Sequence, residues 1–417
     1  MRILKLTPKT EANLTKLRQG QDREAHRAAA RIVTDVRRRG DAALDEYTRK
    51  FDGADVRGKL LWVSAGEIAA ARKRVSREFL RAVEHAAANV RRVAEKQLPR
   101  EWSLEVEPGV RISQLVQPID SIGCYIPGGR FALFSTMVMT VVPAQVAGVN
   151  RIVVVCPRVN YELLGAASLL GVTHLARIGG AQAIAALAYG TKRIAPSEKI
   201  FGPGNRYVTA AKQIVSSDCA IDLPAGPTEA VVLARGGNPR WIAADMLAQA
   251  EHAPDAGSYL VTTSARLAKQ VQEAVVAQLR QLPPNNPAQL SCEKTGAILL
   301  ADTWDEGIAF VNRFAPEHLS LPESSPALLR KIRSSGTIFT GHLSAQPFGD
   351  YASGSNHVLP TGGWARRRGG LSANDFVKQI SVQHIAPAGY QRLAQDVHIL
   401  ACAEGLRAHA NAVEVRK

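Results

Sequence analysis

The stretch Ser121-Ile-Gly-Cys-Tyr-Ile-Pro-Gly-Gly129 decides the fold: an uncharged strand pattern runs into a Pro-Gly-Gly turn, and twenty uncharged residues, 131–150, follow it. Gly and Pro are strong punctuators, so strand should give way to helix here. The same unit then recurs. Arg151-Ile-Val-Val-Val155 reads as a strand, 161–170 as a helix and 174–178 as a strand. Gly179-Gly-Ala-Gln182 opens an Ala-rich helix to Tyr189, and Lys199-Ile-Phe201 leads through Gly202-Pro-Gly-Asn205 into a helix to Val215. Strands alternating with helices predict a parallel sheet covered on both faces.

Working outward, residues 1–100 read as mostly helical, with a break at Gly40-Asp41 and a long Ala/Arg/Val pattern over 65–96. Residues 104–106 and 110–116 look like strands. A second alternating set has strands at 229–233, 259–262 and 296–300, with helices between and after them. Residues 341–370, rich in Gly, Ser and Pro, read as an irregular functional loop, and a helical tail closes the chain. The expected class is α/β: two Rossmann-like α/β domains with parallel-type sheets, plus small N-terminal and C-terminal helical segments.

The 417 residues carry a net charge of +15, but Arg and Lys are spread along helices that also carry Glu and Asp. A solvated basic surface fits this better than nucleic-acid binding. Five cysteines, without any Cys-x-x-Cys, argue for a reducing compartment and against a disulfide framework. The N-terminus lacks the apolar core of a signal peptide. The uncharged run 131–150 contains Ser135, Thr136, Thr140, Pro143, Gln145 and Asn150, which suits a buried helix rather than a membrane span. A cytoplasmic location follows.

Several stretches carry side chains suited to chemistry. Asp245-Met-Leu-Ala-Gln-Ala-Glu-His-Ala-Pro254 reads as a helix end with Gln249 and His252 about 60° apart around the axis. Their amide oxygen and imidazole nitrogen suit a borderline metal such as zinc; the plain alternative is a capping His and a solvated Gln. Ala315-Pro-Glu-His318 sets a carboxylate beside an imidazole, a pair suited to acid/base work only if a turn brings both into one pocket. The 349–357 loop adds Asp350 and His357. Glu404 and His409 lie about 140° apart if on one helix. The three Gly-rich junctions could present backbone N–H groups to phosphate, though none is Gly-x-Gly-x-x-Gly and none has a matching acidic residue for a ribose.

Taken in order, these motifs resemble the histidinol dehydrogenase family. The likeness runs from Ile32-Val-Thr-Asp-Val36 through Gly123-Cys-Tyr-Ile-Pro-Gly-Gly129, Gly179-Gly-Ala-Gln-Ala-Ile-Ala185, Ile200-Phe-Gly-Pro-Gly-Asn205 and Ile221-Asp-Leu-Pro-Ala-Gly-Pro-Thr-Glu229. It continues through Ala248-Gln-Ala-Glu-His252, Asn312-Arg-Phe-Ala-Pro-Glu-His-Leu319, 349–360 and 403–413. The resemblance implies a zinc ion per subunit held by Gln249, His252, Asp350 and His409, the last from the partner in a domain-swapped homodimer. It implies Glu317 and His318 as the acid/base pair, and NAD⁺ contacts at Tyr125, Gln182 and Asn205. Substrate contacts would come from Thr228, His357 and Glu404 together with Gln249, His252, His318, Asp350 and His409. Thr228 stands where the family usually has Ser. The implied domains are 1–24, a helical segment; 25–124 with 228–372, binding zinc and substrate; 125–227, an inserted domain for NAD; and 373–417, a helical tail reaching the partner.

The implied reaction is the four-electron oxidation of L-histidinol through L-histidinaldehyde to L-histidine with two NAD⁺, with no nucleic-acid or membrane partner. Zinc would orient the substrate, His318 would take the alcohol proton, and Glu317 would activate water on the aldehyde. The competing readings are a paralogue oxidising another small alcohol such as a sulfonated diol, a zinc hydrolase using Glu317, and a basic nucleic-acid-binding protein.

Overall fold

A computed structural model describes residues 1–18, 23–128, 133–224 and 226–416. Gly129, Phe131 and Ala225, which belong to stretches quoted above, lie outside the described residues, as does part of the expected 1–24 segment. The strands are β1 (Arg2–Lys5), β2 (Trp102–Glu107), β3 (Val110–Pro118), β4 (Ser121–Tyr125), β5 (Arg151–Val155), β6 (His174–Ala176), β7 (Lys199–Phe201), β8 (Ala220–Ile221), β9 (Glu229–Leu233), β10 (Gly257–Thr262), β11 (Ala297–Leu300), β12 (His318–Leu321), β13 (Thr337–Thr340) and β14 (Val377–Ile385).

β4 to β8 form a parallel sheet in the order β6-β5-β4-β7-β8. Val153 to Val155 and all of β4 are buried, as expected of strands covered on both faces. One face carries Met137, Val141, Leu163 and Val83; the other carries Ile184, Leu187, Val208, Leu44 and Val33. The order reverses between β4 and β7, so a crevice opens there at the carboxyl ends of the strands. The uncharged run becomes the helix Phe134–Ala147, buried and only 14 residues long. Among the described residues no helix is long and apolar enough to cross a membrane.

A second parallel sheet has the order β1-β11-β10-β9-β12-β13. Its first strand corrects the expected helical N-terminus: Arg2-Ile-Leu-Lys5 pairs with Ala297 to Leu300, because the short apolar run extends the sheet edge. The helices over 23–97 pack on the first sheet, where Val33, Leu44, Val83 and Val90 complete its two apolar layers, and the helix Arg77–Gln97 also meets the later segment, since Asn89 Nδ2 donates to the Ala352 carbonyl at 2.8 Å. Helix formation over 65–96 is interrupted: Ser76 accepts from Phe79 N and caps a new helix, Arg77–Gln97.

The C-terminal tail is also corrected. Val377-Lys-Gln-Ile-Ser-Val-Gln-His-Ile385, with four β-branched residues, forms β14, antiparallel to β3, before the helices Pro387–Ala403 and Arg407–Glu414. The three-stranded arm β14-β3-β2 projects Trp102, Leu104, Val106, Ile380 and Val382 to solvent. The chain exposes 21067 Å², whereas a compact monomer of this mass exposes about 16,000 Å². Exposed apolar side chains on the arm and tail, among them Leu104, Val106, Leu400 and Val415, contribute to that excess.

Candidate active site

The site forms where the second sheet meets the helix Phe134–Ala147 of the first unit. Ala315, in the left-handed region at φ 51°, ends the helix Trp304–Phe314, and Pro316 prevents its resumption. The chain turns there, and Glu317 precedes the first residue of β12. This answers the difficulty with adjacent strand residues: His318 Nδ1 lies 3.8 Å from Glu317 Oε2. Both side chains are buried.

The helix Pro239–Ala250 brings Gln249 to the same place. It ends earlier than Pro254 predicts. Glu251 is the C-cap, and His252 N bonds to Gln249 O at 3.4 Å, the tightened i−3 pattern of a helix terminus. His252 therefore sits on the turn beyond the helix, not on its face. Asp350 also departs from expectation: Gln346-Pro-Phe-Gly-Asp-Tyr351 is a short helix with Pro347 in its first turn, not loop.

A closed ring of side chains results. Gln249 Nε2 donates to Thr228 Oγ1 at 2.9 Å, Thr228 Oγ1 donates to Glu317 Oε2, and Glu229 N donates to the same oxygen at 3.0 Å. His318 Nε2 lies 3.8 Å from Asp350 Oδ1, and His252 Nε2 lies 3.9 Å from Asp350 Oδ2. Gln346 Nε2 donates to Gln249 Oε1 at 2.7 Å and a further bond links Gln346 to Asp350. Gln346 had no sequence signal: it lies in no motif, and only its burial against Gln249 reveals it. His357 accepts at Nε2 from Thr136 Oγ1 at 3.2 Å and donates from Nδ1 to the Asp350 carbonyl at 2.8 Å, the tautomer that its partners require.

Burial sets the protonation states. It pushes Glu317 up to about 8, against the bonds from Thr228 and Glu229 N. It pushes Asp350 up to about 7. It pushes His318 down to about 3 and His357 down to about 4, and it lowers His252. The imidazoles are therefore neutral, and neither nitrogen of His318 has a hydrogen-bond partner among the described residues. Among the described residues the ion-pair partners of Asp350 are His252 and His318 only. A buried acid facing neutral imidazoles, with an amide oxygen beside it, is a donor set that a divalent cation would complete. Yet no three His, Cys, Asp or Glu among the described residues close into a metal cluster by themselves.

Glu404 and His409 stand apart from this ring. Both are exposed on the tail, whose helices bond to each other through Tyr390 Oη and the Val413 carbonyl at 2.6 Å. At the crevice of the first sheet, Tyr125 ends β4 and its hydroxyl accepts from Gly180 N at 3.2 Å. Gln182 is buried in the first turn of the helix Gly180–Tyr189. Asn205 caps the helix Arg206–Val215 by accepting from Tyr207 N and Val208 N. Gly202, at φ 108°, is required there: a Cβ would stand 2.1 Å from the Tyr125 carbonyl oxygen. Tyr125, Gln182 and Asn205 thus share one strand-end crevice, and the helix that begins past β4 carries Thr136 to the ring.

The family model described as histidinol dehydrogenase matches residues 15–417. The chain is 46% identical over 400 residues to the histidinol dehydrogenase of Geobacillus kaustophilus, covering 94% of each chain. It is 46% identical over 394 residues to that of Methanothermobacter thermautotrophicus, covering 93% and 92%. The crystal structure of histidinol dehydrogenase from Elizabethkingia anophelis superposes with a TM-score of 0.94 at 39% identity, covering 100% of this chain and 98% of that one.

Proposed function

The chain belongs to the histidinol dehydrogenase family, an NAD-dependent oxidoreductase family of histidine biosynthesis, and from that premise we propose that the ring around Glu317 and His318 is where L-histidinol is oxidised to L-histidine in two steps. The observation that carries this is the pairing of an unpartnered neutral imidazole with a carboxyl held near 8, both buried, beside Gln249, His252 and Asp350.

Gln249, His252 and Asp350 would hold zinc, with His409 of a second copy as the fourth donor; the ion supplies Lewis-acid orientation of the substrate nitrogens. Tyr125, Gln182 and Asn205 would hold NAD⁺, which would supply the hydride acceptor. His318 stays neutral across the physiological range, so it has a nitrogen lone pair ready for the carbinol proton. Glu317, once ionised, takes a proton from the water that adds to the aldehyde carbon. Thr228 and Glu229 N hold that carboxylate in place, which the hydroxyl of Ser would do equally well. His357 and the Glu404 of the second copy would bind the substrate, whose amino group and imidazole suit a carboxylate. The exposed apolar arm and tail support a homodimer, because burying Leu400 and Val415 with the arm would remove a large apolar surface from water.

The test is NADH formation from L-histidinol by wild type and by His252→Ala, with zinc content measured. Wild type should contain zinc and produce NADH; the variant should lose both. A variant that keeps full activity without metal would overturn the assignment. A sulfonated diol serves as the control substrate and should give no turnover.

A further inference from the structure

Asp52 ends the helix Asp41–Asp52 at the carboxyl edge of the first sheet, and nothing in the reaction above uses it. Its side chain is partly buried, and Gln182 Nε2 donates to its Oδ2 at 3.4 Å. Gln182 is only 1% exposed, and its Oε1 has no hydrogen-bond partner among the described residues. A buried amide oxygen without a partner is costly, so this pair is arranged for a donor that arrives from outside.

The surroundings say what kind of donor. Tyr125, Pro157 and Gly179 lie at the ends of β4, β5 and β6, and Pro157 packs so closely that a Cβ on Gly179 would stand 2.5 Å from it. Gly180, at φ 64°, leaves the space that Gln182 Oε1 fills. The pair lies on the sheet face of Leu44, Ile184 and Val208, whereas Thr136, which reaches the oxidation site, lies on the helix covering the opposite face. A dinucleotide with its nicotinamide at the ring would therefore present its adenosine half here. A carboxylate only accepts hydrogen bonds, which suits a vicinal diol and opposes a phosphate. Burial pushes the Asp52 carboxyl above its ordinary value, and the Arg158 guanidinium offsets part of that rise.

We infer that Asp52, together with the Gln182 amide, binds the 2′- and 3′-hydroxyls of the adenosine ribose and makes the enzyme select NAD⁺ over NADP⁺. This rests on the reading that NAD lies along this strand-end crevice. It supplies the ribose acid from a helix far upstream in sequence, where a search downstream of the Gly-rich turns does not reach.

The test is equilibrium binding of NAD⁺ and NADP⁺, without histidinol, by calorimetry on the intact enzyme and on Asp52→Ser, Asp52→Asn and Asn205→Ala. Asp52→Ser should weaken NAD⁺ by about tenfold or more, the scale of losing bonds to a charged acceptor, and should strengthen NADP⁺. Asp52→Asn keeps the shape of the side chain and should also narrow the preference for NAD⁺. Asn205→Ala should weaken both dinucleotides alike. If the Asp52 variants leave the ratio unchanged while Asn205→Ala weakens binding, the dinucleotide uses this crevice without Asp52, and the inference fails. If no variant changes binding, the crevice itself is wrong, and the inference falls with it.

Discussion

Replacing Thr228 by Val keeps the shape of the side chain and deletes one hydroxyl. That hydroxyl donates to Glu317 Oε2 and accepts from Gln249 Nε2 at 2.9 Å. Glu317 keeps the bond from Glu229 N at 3.0 Å. The ionised carboxylate loses more than the protonated form does. A hydrogen bond to a charged group contributes about 1.5–3 kcal/mol, or about 1–2 pH units. Starting from about 8, Glu317 should move to about 9–10. At the pH where half of the wild-type Glu317 is ionised, the variant has about 1–10% ionised, so L-histidine formation there should fall about five- to fifty-fold and recover at higher pH. A cation in the site would lower both values, and the difference would remain. The assay is L-histidine formation from L-histidinol against pH, for wild type, Thr228→Val and Thr228→Ser. The Ser variant should follow wild type. An alkaline shift absent from Thr228→Val, with activity otherwise normal, would refute the role given to Glu317.

Three other outcomes follow from the same geometry. Lys212 and Asp222 form a buried ion pair that also holds Gly202, since Lys212 Nζ donates to the Gly202 carbonyl at 2.9 Å and Gly202 N donates to Asp222 Oδ2 at 2.7 Å; Lys212→Met should cost about 3–5 kcal/mol by leaving Asp222 buried alone, read from denaturant midpoints. Asp245 is raised from 3.8 to about 6 by burial alone. The folded state therefore holds a proton that the unfolded state has lost between those values, and stability falls as pH rises through that window. Asp245→Asn should stabilise by about 1–3 kcal/mol at pH 7 and by almost nothing at pH 4. Subunits of His409→Asn and Glu317→Gln should each be inactive alone, and refolded together they should recover about a quarter of wild-type activity, because half the dimers then hold one complete site; no recovery would place His409 in its own chain's site.

Much of the parallel architecture was legible because β4, β5, β7 and β9 are short apolar runs between Gly and Pro signals. Glu317 and His318 were legible as a pair, and the αL residue Ala315 supplies the turn that their adjacency demanded. Other features were hidden for physical reasons. Arg2–Lys5 becomes a strand only because β11 offers a free edge 295 residues away in sequence, Arg2 pairing with Ala297. Gln346 and Asp52 act through tertiary contacts with Gln249 and Gln182, which no local spacing encodes. The packing of 23–97 on the first sheet depends on which apolar layer was incomplete, and periodicity gives the face of a helix but not its partner.

The most direct measurement of the central claim is the stoichiometry of a limited turnover: NADH and L-histidine formed per L-histidinol consumed, in wild type and Glu317→Gln. Two NADH and one L-histidine per histidinol in wild type, with L-histidine formation lost in Glu317→Gln, is the predicted result. One NADH per histidinol in wild type, or unimpaired L-histidine formation by Glu317→Gln, would contradict it.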